Sequence, residues 1–285
     1  MRNVSPLRYP GGKFVMANLL SQIRRINNLG NRQIAEPFAG GAGASLNLLT
    51  LEEAPEIHIN DADPAIFAFW WSLKHQPLDF AALLSKTRVS MAEWRRQREL
   101  YLSRRKVSRL RKGFSAFYLN RCNRSGIIMN GGPIGGIKQR GEWLIDARYN
   151  KPDLLERCAK IAEFSDRISV TGIDGIELIK QLDHDKVFFF IDPPYYEKGA
   201  TLYLNSLDAS YHVRIADELR SRPGSAWVLT YDDCPEIRSL YRGWTTIRPF
   251  GLRYAASVRR SGKEIMIVPK HLRLPSTQAS GAIRW

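Results

Sequence analysis

Apolar residues along the chain fall into short runs broken by polar, glycine- or proline-bearing turns. Val187-Phe188-Phe189-Phe190-Ile191 is continuously apolar, β-rich and too short for a typical helix, so it predicts a strand buried on both faces. Gln33-Ile34-Ala35-Glu36 and the alternating Glu56-Ile57-His58-Ile59-Asn60 predict two earlier strands. Later strands are expected over 168–173, 226–231, 245–249 and 264–268. Helical patterns lie between them over 44–51, from Pro64 through Leu73, and over 154–164, 175–182 and 211–221. This β–α alternation predicts an α/β fold with a mostly parallel sheet. One stretch, about 77–150, breaks the alternation with basic helices and a loop carrying Gly126, Gly131, Gly132, Gly135, Gly136 and Gly141. It reads as an inserted module. The residues from Pro275 onward read as a loose tail.

Charge sharpens that division. The chain of 285 residues carries a formal net charge of +15. Between Lys86 and Arg124 stand thirteen lysines and arginines against Glu93 and Glu99, a local excess of +11. One-signed charge rich in arginine predicts a phosphate-binding surface, with Arg95, Arg96, Arg104, Arg105 and Arg109 as backbone contacts. Arg124, Asn130 and Arg140 in the glycine-rich loop are candidates for base or phosphate contacts, because Arg pairs with guanine and Asn with adenine. No run approaches about 18 apolar residues, so no membrane span is expected. The amino terminus lacks the apolar run of a signal peptide, and Cys122, Cys158 and Cys234 are few and scattered. A cytoplasmic protein is expected, and no metal, because neither the cysteines nor the five histidines show ligand spacing.

The candidate chemistry sits where the strand over 187–191 runs out, at Asp192-Pro193-Pro194-Tyr195. In open α/β sheets ligands bind at the carboxyl ends of strands. The amine of a nucleobase is a poor nucleophile because its lone pair is delocalised into the ring. The Asp192 carboxylate and the Pro193 carbonyl can accept its two hydrogens, and proline aims that carbonyl by fixing φ. Tyr195 offers a flat face for an extruded base. Upstream, Gly40-Gly41-Ala42-Gly43 follows the first strand, and Asp61 ends the second, 21 residues after Gly40. That is the spacing of a glycine turn and a ribose-binding acid. The G-x-G-x-x-G spacing is missing, which disfavours an NAD-linked dehydrogenase, and no P-loop is present. A ribose-bearing ligand without a pyrophosphate follows, and S-adenosylmethionine is one.

Four motifs then occur in order: Arg8-Tyr9-Pro10-Gly11-Gly12-Lys13, Glu36-Pro37-Phe38-Ala39-Gly40-Gly41, Asn60-Asp61-Ala62-Asp63 and Asp192-Pro193-Pro194-Tyr195. With Asn120-Arg121, Thr230-Tyr231-Asp232-Asp233 and Gly262-Lys263-Glu264, the chain resembles the Dam-type, D12 class of DNA adenine-N6 methyltransferases over nearly its whole length. The resemblance implies a seven-stranded methyltransferase sheet with its last strand antiparallel and helices on both faces. It implies a catalytic domain over 1–76 and 151–285, with a target recognition insert over 77–150. Tyr9, Lys13, Glu36, Phe38, Gly40, Asp61, Asp174 and Asp192 are then expected around S-adenosylmethionine, and Asp192, Pro193, Pro194 and Tyr195 around the target adenine of duplex DNA. The implied activity is site-specific methylation of adenine N6 after base flipping. Rivals on the same scaffold are a cytosine-N4 or RNA adenine methyltransferase and a catalytically silent DNA-binding regulator. Asp rather than Ser at position 192 favours adenine, and the presence of Lys13, Asp61 and Asp192 speaks against the silent regulator. A cognate restriction endonuclease or other defence component is the protein partner such an enzyme keeps in restriction–modification, and both a monomer and a weak dimer stand as its assembly.

Overall fold

β4 (Val187–Ile191) is buried at every position and divides its side chains between two cores. Phe188 and Phe190 join one, while Val187, Phe189 and Ile191 join the other. That two-sided burial is what a strand inside a layered α/β domain requires. A computed structural model describes residues 3–8, 13–103, 105–196, 208–252, 264–276 and 283–284. The other strands are β1 (Gln33–Glu36), β2 (Ile57–Asn60), β3 (Ile168–Thr171), β5 (Ala226–Asp232), β6 (Thr245–Leu252), β7 (Glu264–Pro269) and the two-residue β8 (Ile283–Arg284). Their order is β3-β2-β1-β4-β5-β7-β6-β8. Strands β1 to β5 pair in parallel, and β7 lies antiparallel between β5 and β6. The seven main strands form the expected mostly parallel methyltransferase sheet.

Two features of the carboxyl-terminal region differ from expectation. β6 runs three residues beyond 249, and Ile283 and Arg284 pair with its Leu252 and Gly251 where a loose tail is predicted. An edge strand carries unpaired backbone groups, and a following segment satisfies them by pairing.

Ten helices are described. α1 (Ala17–Ile26), α2 (Gly43–Thr50), α3 (Pro64–His75), α4 (Pro77–Lys86), α5 (Met91–Leu102), α6 (Arg109–Cys122) and α7 (Lys151–Ala162) cover one face. α8 (Gly175–Gln181), α9 (Ala209–Arg220) and α10 (Pro235–Tyr241) cover the other. Local chemistry starts several of them. Asp63 caps α3 by accepting from the Ala65 and Ile66 amides at 2.7 and 3.2 Å, with Pro64 fixing φ at the first position. Ser90 caps α5, accepting from the Glu93 amide at 3.2 Å.

The basic stretch shares the main core. Phe80 of α4, Trp94 and Tyr101 of α5, and Phe114 and Phe117 of α6 pack in one cluster with Ile34 and Ile57 of the sheet. Phe69 of α3 stacks on Phe117 at 5.9 Å with ring planes 3° apart. The helices approach so closely that a Cβ on Gly113 would lie 2.5 Å from the Ala68 carbonyl oxygen and the Phe69 amide nitrogen. Backbone atoms cannot step aside as a side-chain tip can. Gly113→Ala should therefore destabilise the protein by about 1–3 kcal/mol through overpacking. Urea unfolding should show a lower midpoint with an unchanged slope. A midpoint equal to wild type would show that the α3–α6 crossing yields freely.

Candidate active site

Sheet order locates the site before any side chain is considered. From β1 the chain builds outward through β2 and β3 on one side, and from β4 outward on the other. β1 and β4 are neighbours, so the crevice beyond their carboxyl ends is the topological switch point where ligands bind in such sheets. Glu36 is the last residue of β1, and Asp192 follows β4 directly. Asp61 follows β2. Because β7 runs antiparallel, its first residue, Glu264, reaches the same edge, opposite Asp232 of β5.

Lys13 joins these ends. It opens a short 3-10 turn ahead of α1 and is buried, with 6% of its surface exposed. Its ammonium donates to Glu264 Oε2 at 3.0 Å and to the Tyr195 hydroxyl, and lies 3.6 Å from Asp192 Oδ1. The same ammonium sits 5.0 Å from the centre of the Tyr195 ring. Thr230 of β5 donates to Asp192 Oδ1 at 2.5 Å. Burial pushes the Asp192 carboxyl above its ordinary pKa; Lys13 and the Thr230 hydrogen bond pull it back, while Glu264 pushes it up further. Glu36 is buried and accepts from the Ser45 amide in the first turn of α2 at 2.8 Å. Burial pushes its pKa up to about 7, with the negative charge of Asp192 adding to the effect.

Asp61 closes the glycine turn. Its Oδ2 accepts from the Gly40 amide at 2.9 Å and its Oδ1 from the Asp63 amide at 2.9 Å. Gly40 has φ +47°, and Trp70 of α3 donates to its carbonyl at 2.9 Å. Ala42 is also left-handed, at φ +46°, so the turn needs two residues in a conformation that L side chains resist. Beneath it, buried Asn60 donates to the Pro37 and Ile173 carbonyls at 2.8 and 2.9 Å and accepts from the Ile173 amide at 3.0 Å. Burial raises the Asp61 pKa to about 7, and Asp63 adds to it.

Asp174 and Phe38 sit together beside this turn. Asp174 caps α8, accepting from the Ile176 and Glu177 amides at 2.9 and 3.2 Å, and its other oxygen accepts from the Tyr211 hydroxyl at 2.7 Å. The Phe38 ring meets Tyr211 edge-on at 6.3 Å and lies where a Cβ on Gly175 would fall. The structure thus gives the Asp174 carboxylate a helix-capping task within the protein. Tyr9, expected beside Lys13, lies outside the described residues.

The profile of the D12 class N6 adenine-specific DNA methyltransferases matches residues 9–255. The chain belongs to this family. It is a DNA adenine-N6 methyltransferase by family, and the family's methyl donor is S-adenosylmethionine. No curated protein sequence matches. Among solved structures, a conserved hypothetical protein of Streptococcus pyogenes is similar over 88% of this chain and 96% of its own, with 9% identity and a TM-score of 0.36. The rRNA methyltransferase aviRa of Streptomyces viridochromogenes is similar over 94% of this chain and 90% of its own, with 15% identity and a TM-score of 0.38.

The crevice of this methyltransferase fits a sulfonium-bearing nucleoside. Glu36 and Asp61 are carboxyls that burial holds near neutrality, so a ligand bringing positive charge and hydroxyl donors favours their ionised forms. Each Asp61 oxygen spends one lone pair on the turn and keeps capacity for a further donor. No described helix is long and apolar enough to cross a membrane.

The basic residues divide by environment. Arg95, Arg105, Arg124, Asn130 and Arg140 are exposed. Arg96 is held by Glu93 through two hydrogen bonds of 2.9 and 2.6 Å, and the exposed Arg109 lies over the Phe67 and Trp71 rings at 5.5 and 4.9 Å. Arg104 lies outside the described residues. Asn120, buried in α6, ties the amino-terminal segment to this region. It accepts from the Arg8 amide at 2.7 Å and donates to the Arg8 and Gly126 carbonyls at 2.6 and 2.9 Å. Gly126, at φ +76°, leaves no room for a Cβ, which would fall 2.3 Å from the Arg8 carbonyl oxygen.

Sequence reasoning missed Thr230 and Glu264 as site residues. Thr230 is interior to a strand, and Glu264 begins one, where the search for carboxyl-terminal strand ends does not look.

Proposed function

We propose that the protein methylates adenine N6 at a specific site in duplex DNA, with the target base flipped out of the helix. The observation that carries this reading is the Asp192 carboxylate beyond β4, held by Thr230 and adjoined by Lys13, with the Pro193 carbonyl and the Tyr195 ring next in the chain. In this reading Asp192 and the Pro193 carbonyl accept the two N6 hydrogens and turn the nitrogen lone pair out of the ring. Pro193 and Pro194 stiffen the segment that aims them. Tyr195, tethered through its hydroxyl to Lys13, offers its face to the flipped base. Glu36, Phe38, Gly40, Asp61 and Asp174 line the cofactor side, and Lys13 stands between cofactor and base. Bound S-adenosylmethionine supplies an electrophilic methyl group to the nitrogen. The site orients and polarises, so no strong base is needed until the methylated nitrogen sheds its proton.

Residues 77–150 serve in this reading as the target recognition segment on a catalytic body formed by 1–76 and 151–285. The exposed arginines of α5 and its following loop meet phosphates, while Arg124, Asn130 and Arg140 face the bases. The local excess of positive charge supports this, as does the anchoring of the glycine-rich loop to the amino-terminal motif through Asn120.

Asp192→Asn tests the chemistry. Formation of N6-methyladenine in duplex DNA, read by mass spectrometry of the nucleosides, should fall by roughly 10²–10³-fold with the melting temperature unchanged. Near-normal turnover would remove Asp192 from the reaction, and wild-type product in cytosine or RNA would favour the rival substrates. For the basic surface, replacing Arg95 and Arg105 together with alanine should flatten the plot of log affinity against log salt by roughly two units, for all DNA sequences alike. Superimposable salt slopes would move the DNA surface elsewhere.

A further inference from the structure

Glu264 takes no part in the chemistry just described, yet it holds the group on which that chemistry leans. It is 9% exposed at the start of β7, and it accepts from the Lys13 ammonium at 3.0 Å. That ammonium is thus shared among Glu264, the Tyr195 hydroxyl and Asp192, and its separation from Asp192, 3.6 Å, is the longer of the two carboxylate distances. A lysine side chain is long and rotatable, and beside a single carboxylate it closes into a direct ion pair. Closed on Asp192, it would occupy an oxygen that the N6 hydrogens need and would release the tyrosine.

We propose that Glu264 is a positioning residue for methyl transfer: by sharing the Lys13 ammonium it keeps Lys13 from closing on Asp192 and keeps Tyr195 tethered. The inference rests on the reading of Asp192 as acceptor of the N6 hydrogens. The groups that face Asp192 are Lys13 from the amino-terminal turn, Glu264 from β7, Thr230 and Tyr231 from β5 and Glu36 from β1. Of these, Glu264 acts on Asp192 in two ways, directly through its negative charge and through the Lys13 ammonium that the two share.

Glu264→Gln removes the competing charge and keeps the shape. The turnover plateau should fall on the order of tenfold, with the KM for S-adenosylmethionine held. The acid limb of the pH–rate profile should move to lower pH, because the Glu264 charge no longer raises the Asp192 pKa and Lys13 now serves Asp192 alone. The direct charge effect is the same with and without the ammonium, so a larger move of the limb with Lys13 present than in a Lys13→Met background marks the positioning role. Glu264→Asp, which keeps the charge, should restore most of the plateau and return the limb toward its wild-type position. In a Lys13→Met background the Glu264→Gln change should cost nothing more. Additive losses, or a plateau and limb both unmoved, would overturn the proposal. Should the wild type prove not to methylate adenine, the functional reading alone falls. The coupling is then read by ¹³C NMR titration of the Asp192 carboxyl, whose midpoint drops further on Glu264→Gln with Lys13 present than in the Lys13→Met background if the inference holds. Equal drops in the two backgrounds would overturn it.

Discussion

A buried ammonium must be paired, and the pairing of Lys13 organises the reactive end of this sheet. Its position commits the amino-terminal segment to the loop beyond β4 and to the start of β7, elements that lie 182 and 251 residues away in sequence. Removing one partner of such a group leaves an uncompensated charge, which costs several kcal/mol in a protein interior. The motif around Lys13 and the motif around Asp192 are therefore one unit, and Asn120 fixes the approach of the segment that leads into it.

Topology supplies the carboxyl groups. Parallel strands bring their carboxyl ends to one edge, so Glu36, Asp61 and Asp192 gather there from three strands, and the antiparallel β7 delivers Glu264 head-first to the same edge. Lys13 is the ammonium that the described residues bring among them. Burial raises Glu36 and Asp61 to a pKa of about 7 each, with the charge of Asp192 adding to the first and that of Asp63 to the second. In the proposed function a ligand of net charge +1, with a sulfonium and ribose hydroxyls, meets these carboxyls, which favours their ionised forms.

Much of this was legible in the sequence. The apolar run over 187–191, the punctuation by Pro193 and Pro194 and the spacing from Gly40 to Asp61 each reflect a local rule, and local rules survive without a fold. Glu264 was not legible as a site residue, because its importance comes from an antiparallel register set over 251 residues from Lys13. The sharing of one core between α6 and α3 was hidden for a related reason: the basic composition of residues 86–124 masks the buried stripe of Phe114, Phe117 and Tyr118. The helix-capping task of Asp174 was not legible either, because it depends on a helix that begins directly after its strand.

In the proposed function the strand-end carboxyls meet Lys13 and a cationic nucleoside. Calorimetric titration of S-adenosylmethionine into the protein near pH 6.5, in buffers of different ionisation enthalpy, measures it directly. Groups with pKa values near 7 are mostly protonated there, and binding that ionises them should release about one proton or more, with affinity rising as pH passes through 7. Binding with no proton release and a pH-independent affinity would contradict the account.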